Sequence, residues 1–349
     1  MTKYPFLRTC ALWTLMALAV GCADDSRKRI VVYSPHGKEL LTASEDAFEA
    51  AHPDIDVQWL DMGGQDAYDR IRTERVNPQA SIWWGGSSVA FALAAGEELL
   101  EPYEPSWSDA VPASARDTAD RWYGTFLTPE VIAFNSTSLS RDTAPADWDE
   151  LLDPTWRDRI LIRYPLQSAT MRTIFGAMIQ RQPSESEGFR WLAKLDENVK
   201  TYTADPTQLY LGLARGEGDI TVWNLPDIYL QSDLNNYPFD YIFPASGTPV
   251  LTDGIAIVAG SPNLDAARLF YEFVTSDSAL VSQATRFYRI PVRNDIPSDR
   301  LPDWITRDSF ATMNVDWTEL SEKGPDWMQY WDENVKGHGS QFLSRTVNE

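Results

Sequence analysis

Short apolar runs alternate with segments of helical spacing along the N-terminal part of the chain, and this alternation limits the fold more than any other feature. The runs begin at Ile30, Ile55 and Ala80, and each has the length of a strand; the first, residues 30–33, is apolar throughout, as expected of a buried parallel strand. Between them, apolar residues recur at helical spacing, and Pro53 ends the first of these segments. The order predicts an α/β fold built on a doubly wound sheet.

The same alternation returns in the middle of the chain, and a length of 349 residues suits two domains better than one. The sequence has no internal repeat and no low-complexity linker. We therefore expect two doubly wound lobes, joined by crossing strands near residues 127–129 and 248–252, with a ligand cleft between them. The first predicted lobe is residues 30–128 plus 253–349, and the second is residues 129–252. The C-terminal third is predicted to be helical and is rich in tryptophan.

The N-terminus has the parts of a secretory signal: basic residues, an apolar run and a small residue before a cut. The run is shorter than the roughly 20 residues that a membrane-spanning helix needs. Residues 18–22 resemble a bacterial lipoprotein cleavage box, and this resemblance implies cleavage before Cys22 and a lipid on its sulfur. We expect residues 1–21 to be a signal peptide and residues 22–29 to be a polar tether, and the lipid to hold the protein at a membrane.

Composition excludes several classes of function. The chain has two cysteines. Cys10 falls in the expected signal and Cys22 is the expected anchor, so the mature chain has no pair for a disulfide or a cysteine metal cluster. Zinc-protease, phosphate-loop, serine-hydrolase and dinucleotide-binding motifs are absent from the sequence. The formal charge of -21 argues against nucleic acid and anionic headgroups as partners. We predict a binding protein rather than an enzyme, with no cofactor, catalytic residue or metal site.

Six motifs occur in sequence along nearly the whole chain, at residues 32–39, 82–86, 96–103, 132–135, 253–258 and 289–293. Their order and spacing resemble the type II periplasmic binding proteins, in particular the ferric-iron-type branch of substrate-binding proteins of ABC importers. The resemblance implies capture of a small molecule at the periplasm or cell surface and delivery to an ABC permease in the inner membrane. It does not fix the ligand, since this branch is known for iron, phosphorylated sugars and phosphonates.

Three segments share one design, a strand followed by a Ser/Gly-rich turn and a helix: residues 34–37, 85–88 and 167–170. Ligands of open α/β sheets bind beyond the carboxyl ends of the strands. Helix N-termini at that edge offer free N–H groups and partial positive charge. The pattern predicts an organic anion such as a phosphorylated or phosphonate compound. The alternative is that these residues only cap their helices.

Further polar and aromatic candidates lie near the same strand ends. His36 could donate a hydrogen bond, or carry a charge if protonated. Trp84 and Trp223 could stack on a ligand instead of packing in the core. Asp253 could bind a ligand group or fix the hinge turn. The predicted ligand-binding residues are Ser34, His36, Gly37, Gly85, Gly86, Ser87, Ser168, Thr170, Trp223, Asn224 and Asp253.

Three other functions stay open at this point. Ferric iron is the first, although the adjacent tyrosine pair that the resemblance implies is missing from residues 222–227, and Tyr229 lies nearby alone. An extracytoplasmic glycosidase would need two carboxylates across a cleft, and no acidic pair stands out by position. A sensor input domain would use the same fold.

Overall fold

The structure is a computed structural model that describes residues 27–307 and 310–346. The expected signal peptide and the expected lipid anchor at Cys22 lie outside the described residues. Over the described ranges, no helix is both long and apolar enough to cross a bilayer.

The end of the expected tether is part of the folded domain. The first strand begins at Lys28, and the side chain of Arg27 forms ion pairs with Glu49 and Asp56, each at 2.8 Å. Residues 27–29 are therefore ordered by the strand pairing and these carboxylates, which corrects the expectation that residues 22–29 form a tether.

The N-terminal half of the first lobe follows the predicted alternation of strands and helices. Its strands β1, β2 and β3 pair in parallel, with β1 in the middle, so each connecting helix crosses from one strand to the next. The elements are β1 (Lys28–Ser34), α1 (Lys38–Ala51), β2 (Ile55–Asp61), α2 (Gly64–Thr73), β3 (Ile82–Ser87), α3 (Ser88–Gly96) and β4 (Leu100–Glu101).

A long strand, β5 (Tyr123–Asn135), carries the chain from one lobe to the other. Its first half pairs with the returning strand of the first lobe, and its second half, from Glu130 on, pairs with strands of the second lobe. The remaining strands and helices of the second lobe are β6 (Ile160–Arg163), α4 (Ala169–Gln180), α5 (Glu185–Asp196), β7 (Val199–Thr203), α6 (Pro206–Ala214), β8 (Ile220–Asn224), α7 (Leu225–Asn235) and β9 (Phe239–Ile242).

The chain then returns through β10, which lies antiparallel to both β3 and β5. The hydrogen-bonded path of strands runs β2-β1-β3-β10-β5-β8-β6-β7 through both lobes. The last elements are β10 (Val250–Val258), α8 (Leu264–Val274), α9 (Asp277–Phe287), β11 (Ile290–Pro291), α10 (Asp303–Arg307), α11 (Trp317–Asn334) and α12 (Gly339–Thr346).

Helices cover both faces of the first lobe's sheet. Trp83 and Trp84 are adjacent and fully buried, yet they belong to different hydrophobic clusters, because successive side chains of a strand point to opposite faces. Trp83 stacks on Phe91 of α3, and Trp84 contacts Phe270 of α8. The predicted α/β class with two lobes is confirmed.

Helices α11 and α12 pack on the second lobe, although the expectation placed them with the first; β10, α8 and α9 of the same predicted range, residues 253–349, do pack in the first lobe. Trp331 of α11 is fully buried against Phe175 and Tyr202, with ring centroids 5.2 and 5.1 Å away. Lys323 adds an ion pair with Glu185 at 2.8 Å. Helical periodicity identified these segments as amphipathic, but it carries no information on which lobe supplies the partner surface.

Candidate functional site

The strand β3 continues through the two glycines where the sequence predicted a turn. It ends at Ser87, and α3 begins at Ser88 with no residue between them. Gly85 and Gly86 have φ angles of 98° and 115°, a backbone conformation that side chains disfavour. A Cβ on Gly85 would lie 2.6 Å from His36 Nε2. A Cβ on Gly86 would lie 3.2 Å from the Cα of Gly64 at the start of α2. The glycines thus let three loops of the first lobe meet.

Three predicted site residues cap the helices that follow them. The hydroxyl of Ser87 accepts the Ala90 N–H, and the hydroxyl of Ser168 accepts the Met171 N–H. The side chain of Asn224 caps α7 in the same manner. The capping role that the sequence left open is therefore present at α3, α4 and α7.

In the described part of the first lobe, α1, α2 and α8 have no side-chain cap at their N-termini, and the first two of these helices begin beside Gly85 and Gly86. Helix α1 follows Gly37 and helix α2 follows Gly63, and neither cap residue has a side chain that can bind the amides of the first turn. Ser34, at the end of β1, accepts the His36 N–H at 3.2 Å and is fully buried. The starts of α1 and α2 are thus the N-termini best able to offer N–H groups to an anion.

His36 is a neutral, buried side chain. Its ring lies edge-on to Trp84 and Phe126, with centroids 5.1 and 5.2 Å away, and its Nε2 has no hydrogen-bond partner in the described part of the chain. Burial, followed by the positive charge of Arg289, holds the pKa of His36 well below 6.5. Of the two roles that the sequence left open for His36, this environment favours that of a neutral hydrogen-bond donor or acceptor.

Asp253 forms hydrogen bonds to both neighbouring strands, β3 and β5, at the crossover between the lobes. One carboxylate oxygen accepts the Gly86 N–H at 3.2 Å, and the other accepts the Thr128 hydroxyl at 2.7 Å. Burial raises the pKa of Asp253, while the Thr128 hydrogen bond and Arg289 oppose that rise. Of the two roles that the sequence left open for this residue, the hydrogen bonds match the hinge role.

The second lobe presents a hydrogen-bonded group around Asp227. Its carboxylate accepts the Asn224 side-chain amide at 2.9 Å, the Trp223 indole N–H at 3.2 Å and the Tyr210 hydroxyl at 3.2 Å. Asn224 Nδ2 lies 3.5 Å from the hydroxyl oxygen of Thr170 at the start of α4. These hydrogen bonds connect three of the predicted site residues of the second lobe, Thr170, Trp223 and Asn224.

Neither tryptophan that was expected to stack on a ligand is placed to do so. Trp223 is 5 % exposed, and its ring belongs to the core of the second lobe. Trp84 is fully buried in the core of the first lobe. Both rings are packed in the hydrophobic cores of their lobes. The position of a tryptophan at the end of a strand was therefore not enough to predict that it stacks on a ligand.

Two arginines that the sequence analysis did not select carry positive charge to the cleft. Arg289 is 8 % exposed, and its charge helps to lower the pKa of His36 and opposes the burial that raises the pKa values of Asp253 and Tyr210. Arg172 of α4 interacts electrostatically across the cleft with Asp66 and Asp69 of α2. The Nε atom of each is buried without a hydrogen-bond partner among the described residues. Arg289 begins one of the six sequence motifs, which was the signal available.

Glu130 is the third residue that the sequence analysis missed. It is fully buried on β5, and both of its carboxylate oxygens lack a hydrogen-bond partner within the described ranges. Burial, followed by the negative charges of Asp227 and Asp253, raises its pKa well above 4.5. The sequence did contain a signal for it, because Glu130 follows Pro129 as the one charged residue in a predominantly apolar strand.

The lobes contact each other beside this site. Tyr288, after α9, stacks on Tyr229 of α7 with centroids 5.0 Å apart, and Trp304 packs on both rings. A cavity of about 980 Å³ opens between α1, α9 and α7, and its charged lining residues are Lys38, Arg286, Glu39, Asp46 and Asp233. It adjoins the start of α1, next to Gly37, and is large enough for a small solute.

The contacts bring the predicted segments to one cleft. His36 meets Gly85, Gly86 binds Asp253, and Asp253 acts on Glu130. Glu130 pairs across the sheet with Asn224, which reaches Thr170. Within residues 27–307 and 310–346, no group of three or more His, Cys, Asp or Glu side chains is arranged to hold a metal ion.

The family model for bacterial extracellular solute-binding proteins matches residues 83–312. Curated relatives cover most of the chain. A probable ABC transporter periplasmic-binding protein of Sinorhizobium fredii is 28 % identical, over 86 % of this chain and 84 % of the relative. A candidate 2-aminoethylphosphonate-binding periplasmic protein of Salmonella typhimurium is 27 % identical, over 84 % and 87 %. The major ferric iron-binding protein of Neisseria meningitidis is 24 % identical, over 77 % and 82 %.

Solved structures share the fold. The periplasmic binding protein P5PA aligns with a TM-score of 0.76 at 24 % identity, over 89 % of this chain and all of that one. The periplasmic binding protein AfuA from Actinobacillus pleuropneumoniae, with fructose-6-phosphate bound, aligns with a TM-score of 0.75 at 22 % identity, over 89 % and 99 %. The resemblance to type II binding proteins of the ferric-iron-type branch is confirmed.

Proposed function

This chain belongs to the bacterial extracellular solute-binding protein family, and from that premise we propose that it captures a small organic phosphate or phosphonate for an ABC importer. The ligand would bind between the two lobes, and the closed form would be the one that the permease recognises. The protein binds and releases its ligand without chemical change. Relatives named for 2-aminoethylphosphonate and fructose-6-phosphate support this class of ligand.

The observation that carries the proposal is the buried guanidinium of Arg289, whose charge acts on His36, just before the uncapped start of α1. Arg289 Nε has no hydrogen-bond partner within the described ranges. His36 packs near Gly85, and Gly64 at the uncapped start of α2 packs against Gly86, so both N-termini lie beside the two glycines. Each N-terminus favours an anion by about 0.3–2 kcal/mol. Hydrogen bonds to a charged group contribute about 1.5–3 kcal/mol each. A few such contacts reach the roughly 8 kcal/mol of micromolar affinity.

A ligand screen tests the proposal. Thermal unfolding is followed with 2-aminoethylphosphonate, hexose phosphates, inorganic phosphate, neutral hexoses, amino acids, polyamines and ferric citrate. A true ligand at a hundredfold excess over its Kd adds about 2.7 kcal/mol of stability, which shifts the melting temperature by several degrees. We expect shifts from phosphates or phosphonates. Shifts from neutral or cationic solutes alone would refute the anion class.

Two arginine variants test whether a ligand found in the screen binds at the site that contains Arg289. Arg289→Gln should weaken the ligand at least about tenfold, because it removes the buried guanidinium. Arg159→Gln is the matched control, since Arg159 forms an ion pair with Asp219 at 2.7 Å at the opposite end of β6 from Ser168. Equal losses in the two variants would place the ligand away from Arg289.

Ferric iron, the alternative that the resemblance raised, has less support. Relatives named for iron share the family. However, residues 222–227 lack the tyrosine pair, and Asp227 is already hydrogen-bonded to three side chains. We also keep the lipid anchor at Cys22 as a proposal, because the motif at residues 18–22 supports it.

A further inference from the structure

We propose that the ligand of this cleft carries an ammonium group and that Glu130 binds it. The inference rests on the proposed function and deepens it, since it names a zwitterion, with an anionic head at one end and a cation at the other. The observation behind it is a fully buried carboxylate with no hydrogen-bond partner for either oxygen in the described part of the chain.

The side chain of Glu130 projects to the same face of the sheet as Thr128 and Asn224. Glu130 lies opposite Asn224 in the antiparallel pairing of β5 with β8, and paired residues project to the same face of a sheet. Thr128, two residues earlier in β5, projects to that face as well, and its hydroxyl contacts Asp253. Glu130 therefore lies between the hinge carboxylate of Asp253 and the Asn224–Asp227 group of the second lobe.

The acidic neighbours of Glu130 already accept hydrogen bonds from the protein. Asp253 has a donor on each oxygen, and one oxygen of Asp227, Oδ2, has three side-chain donors. The carboxylate of Glu130 has none among the described residues, although its backbone carbonyl accepts from the Thr248 hydroxyl and its N–H donates to the Pro249 carbonyl. Buried polar groups in native proteins are almost always hydrogen-bonded, so an exception points to a partner that is supplied from outside the chain.

The electrostatic environment of Glu130 favours a cation as that partner. The negative charges of Asp227 and Asp253 both act on Glu130, and they raise its pKa together with burial. Arg289 acts on Asp253 but is not among the causes of the shift at Glu130. A ligand hydroxyl would bring one donor and no charge, whereas an ammonium group brings three donors and the missing positive charge.

Matched ligand pairs test this on the unmodified protein by isothermal titration calorimetry. One pair is 2-aminoethylphosphonate and propylphosphonate, in which a methyl group replaces the ammonium. The other is glucosamine 6-phosphate and glucose 6-phosphate, in which a hydroxyl replaces it. We expect the amine to bind at least about tenfold tighter within the pair that binds. Binding without that preference overturns the ammonium site alone. No binding by either pair overturns the proposed ligand class as well.

The variant Glu130→Gln then assigns the preference to one residue. The amide keeps the shape of the side chain and removes its charge, so the preference for the amine should disappear while the affinity of the analogue without an amine stays within about threefold. Asp196→Asn is the control, because Asp196 is a buried carboxylate of the second lobe that binds Tyr202, Gly337 and Gly339. It should keep the preference. A preference that survives in Glu130→Gln contradicts the proposal.

Discussion

Replacing Glu130 by glutamine should make the ligand-free protein more stable at neutral pH. The carboxyl is fully buried with no hydrogen-bond partner among the residues that the structure describes, and its pKa is raised well above 4.5. In the unfolded chain the same group ionises near 4.5. Its favourable contribution to the free energy of unfolding is therefore complete below pH 4.5 and is lost as the pH rises towards the raised pKa of the folded state.

The size of the effect follows from linkage. Between the two pKa values the folded state holds one proton more than the unfolded state, so stability falls by up to about 1.4 kcal/mol per pH unit. Glutamine has no proton to lose. Below pH 4.5 it replaces one neutral, unpartnered side chain by another of similar shape, so the two proteins should be of similar stability there. The advantage of Glu130→Gln should grow from that point with rising pH.

Urea unfolding followed by tryptophan fluorescence, at one-unit steps from pH 4 to pH 8, measures the difference. Glu185→Gln is the control, because the hydrogen bond from Lys323 holds the pKa of that exposed carboxyl below its ordinary value. The contribution of this solvent-screened pair to stability should be small and should act in the opposite direction. Identical pH profiles for Glu130→Gln and the parent protein would refute the conclusion that Glu130 is an unpaired buried carboxyl.

Three further predictions concern the cap, the metal and the anchor. Ser168→Ala should weaken ligand binding more than Ser184→Ala, although both variants remove the same N-cap bond, because only α4 starts at the cleft; equal effects in titration calorimetry would place α4 outside the site. The purified protein should be colourless and should retain no stoichiometric iron after dialysis against citrate; a tight one-to-one iron complex would revive the iron function. Cys22→Ala should abolish incorporation of labelled palmitate; undiminished labelling would disprove the anchor.

The fold was largely predictable because its signal is local. Each strand of the first lobe is a short apolar run, and each helix shows its own periodicity, so β1 to α3 follow from the residues of each segment. The glycines at 85 and 86 were the exception. They suggested a turn, but pairing of β3 with β10, from Ile82 to Ser87, keeps them in a strand, and that partner lies far away in the sequence.

The candidate site was predictable only in part, because its chemistry depends on contacts between distant segments. Ser34, Gly85 and Asp253 could be selected, since they sit at strand ends or at a crossover. Glu130 could not be selected. It stands out only because, among the described residues, no hydrogen-bond donor reaches its carboxylate, and its neighbours Asn224 and Asp253 come from distant parts of the sequence. The assignment of the C-terminal helices failed for the same reason.

Native mass spectrometry of the protein purified from its own cells, with phosphorus NMR of the released ligand, tests the central claim most directly. We predict one small molecule per chain that contains phosphorus as a phosphate or phosphonate. A stoichiometric ligand without phosphorus, whether ferric iron, a neutral sugar or an amino acid, would contradict the account.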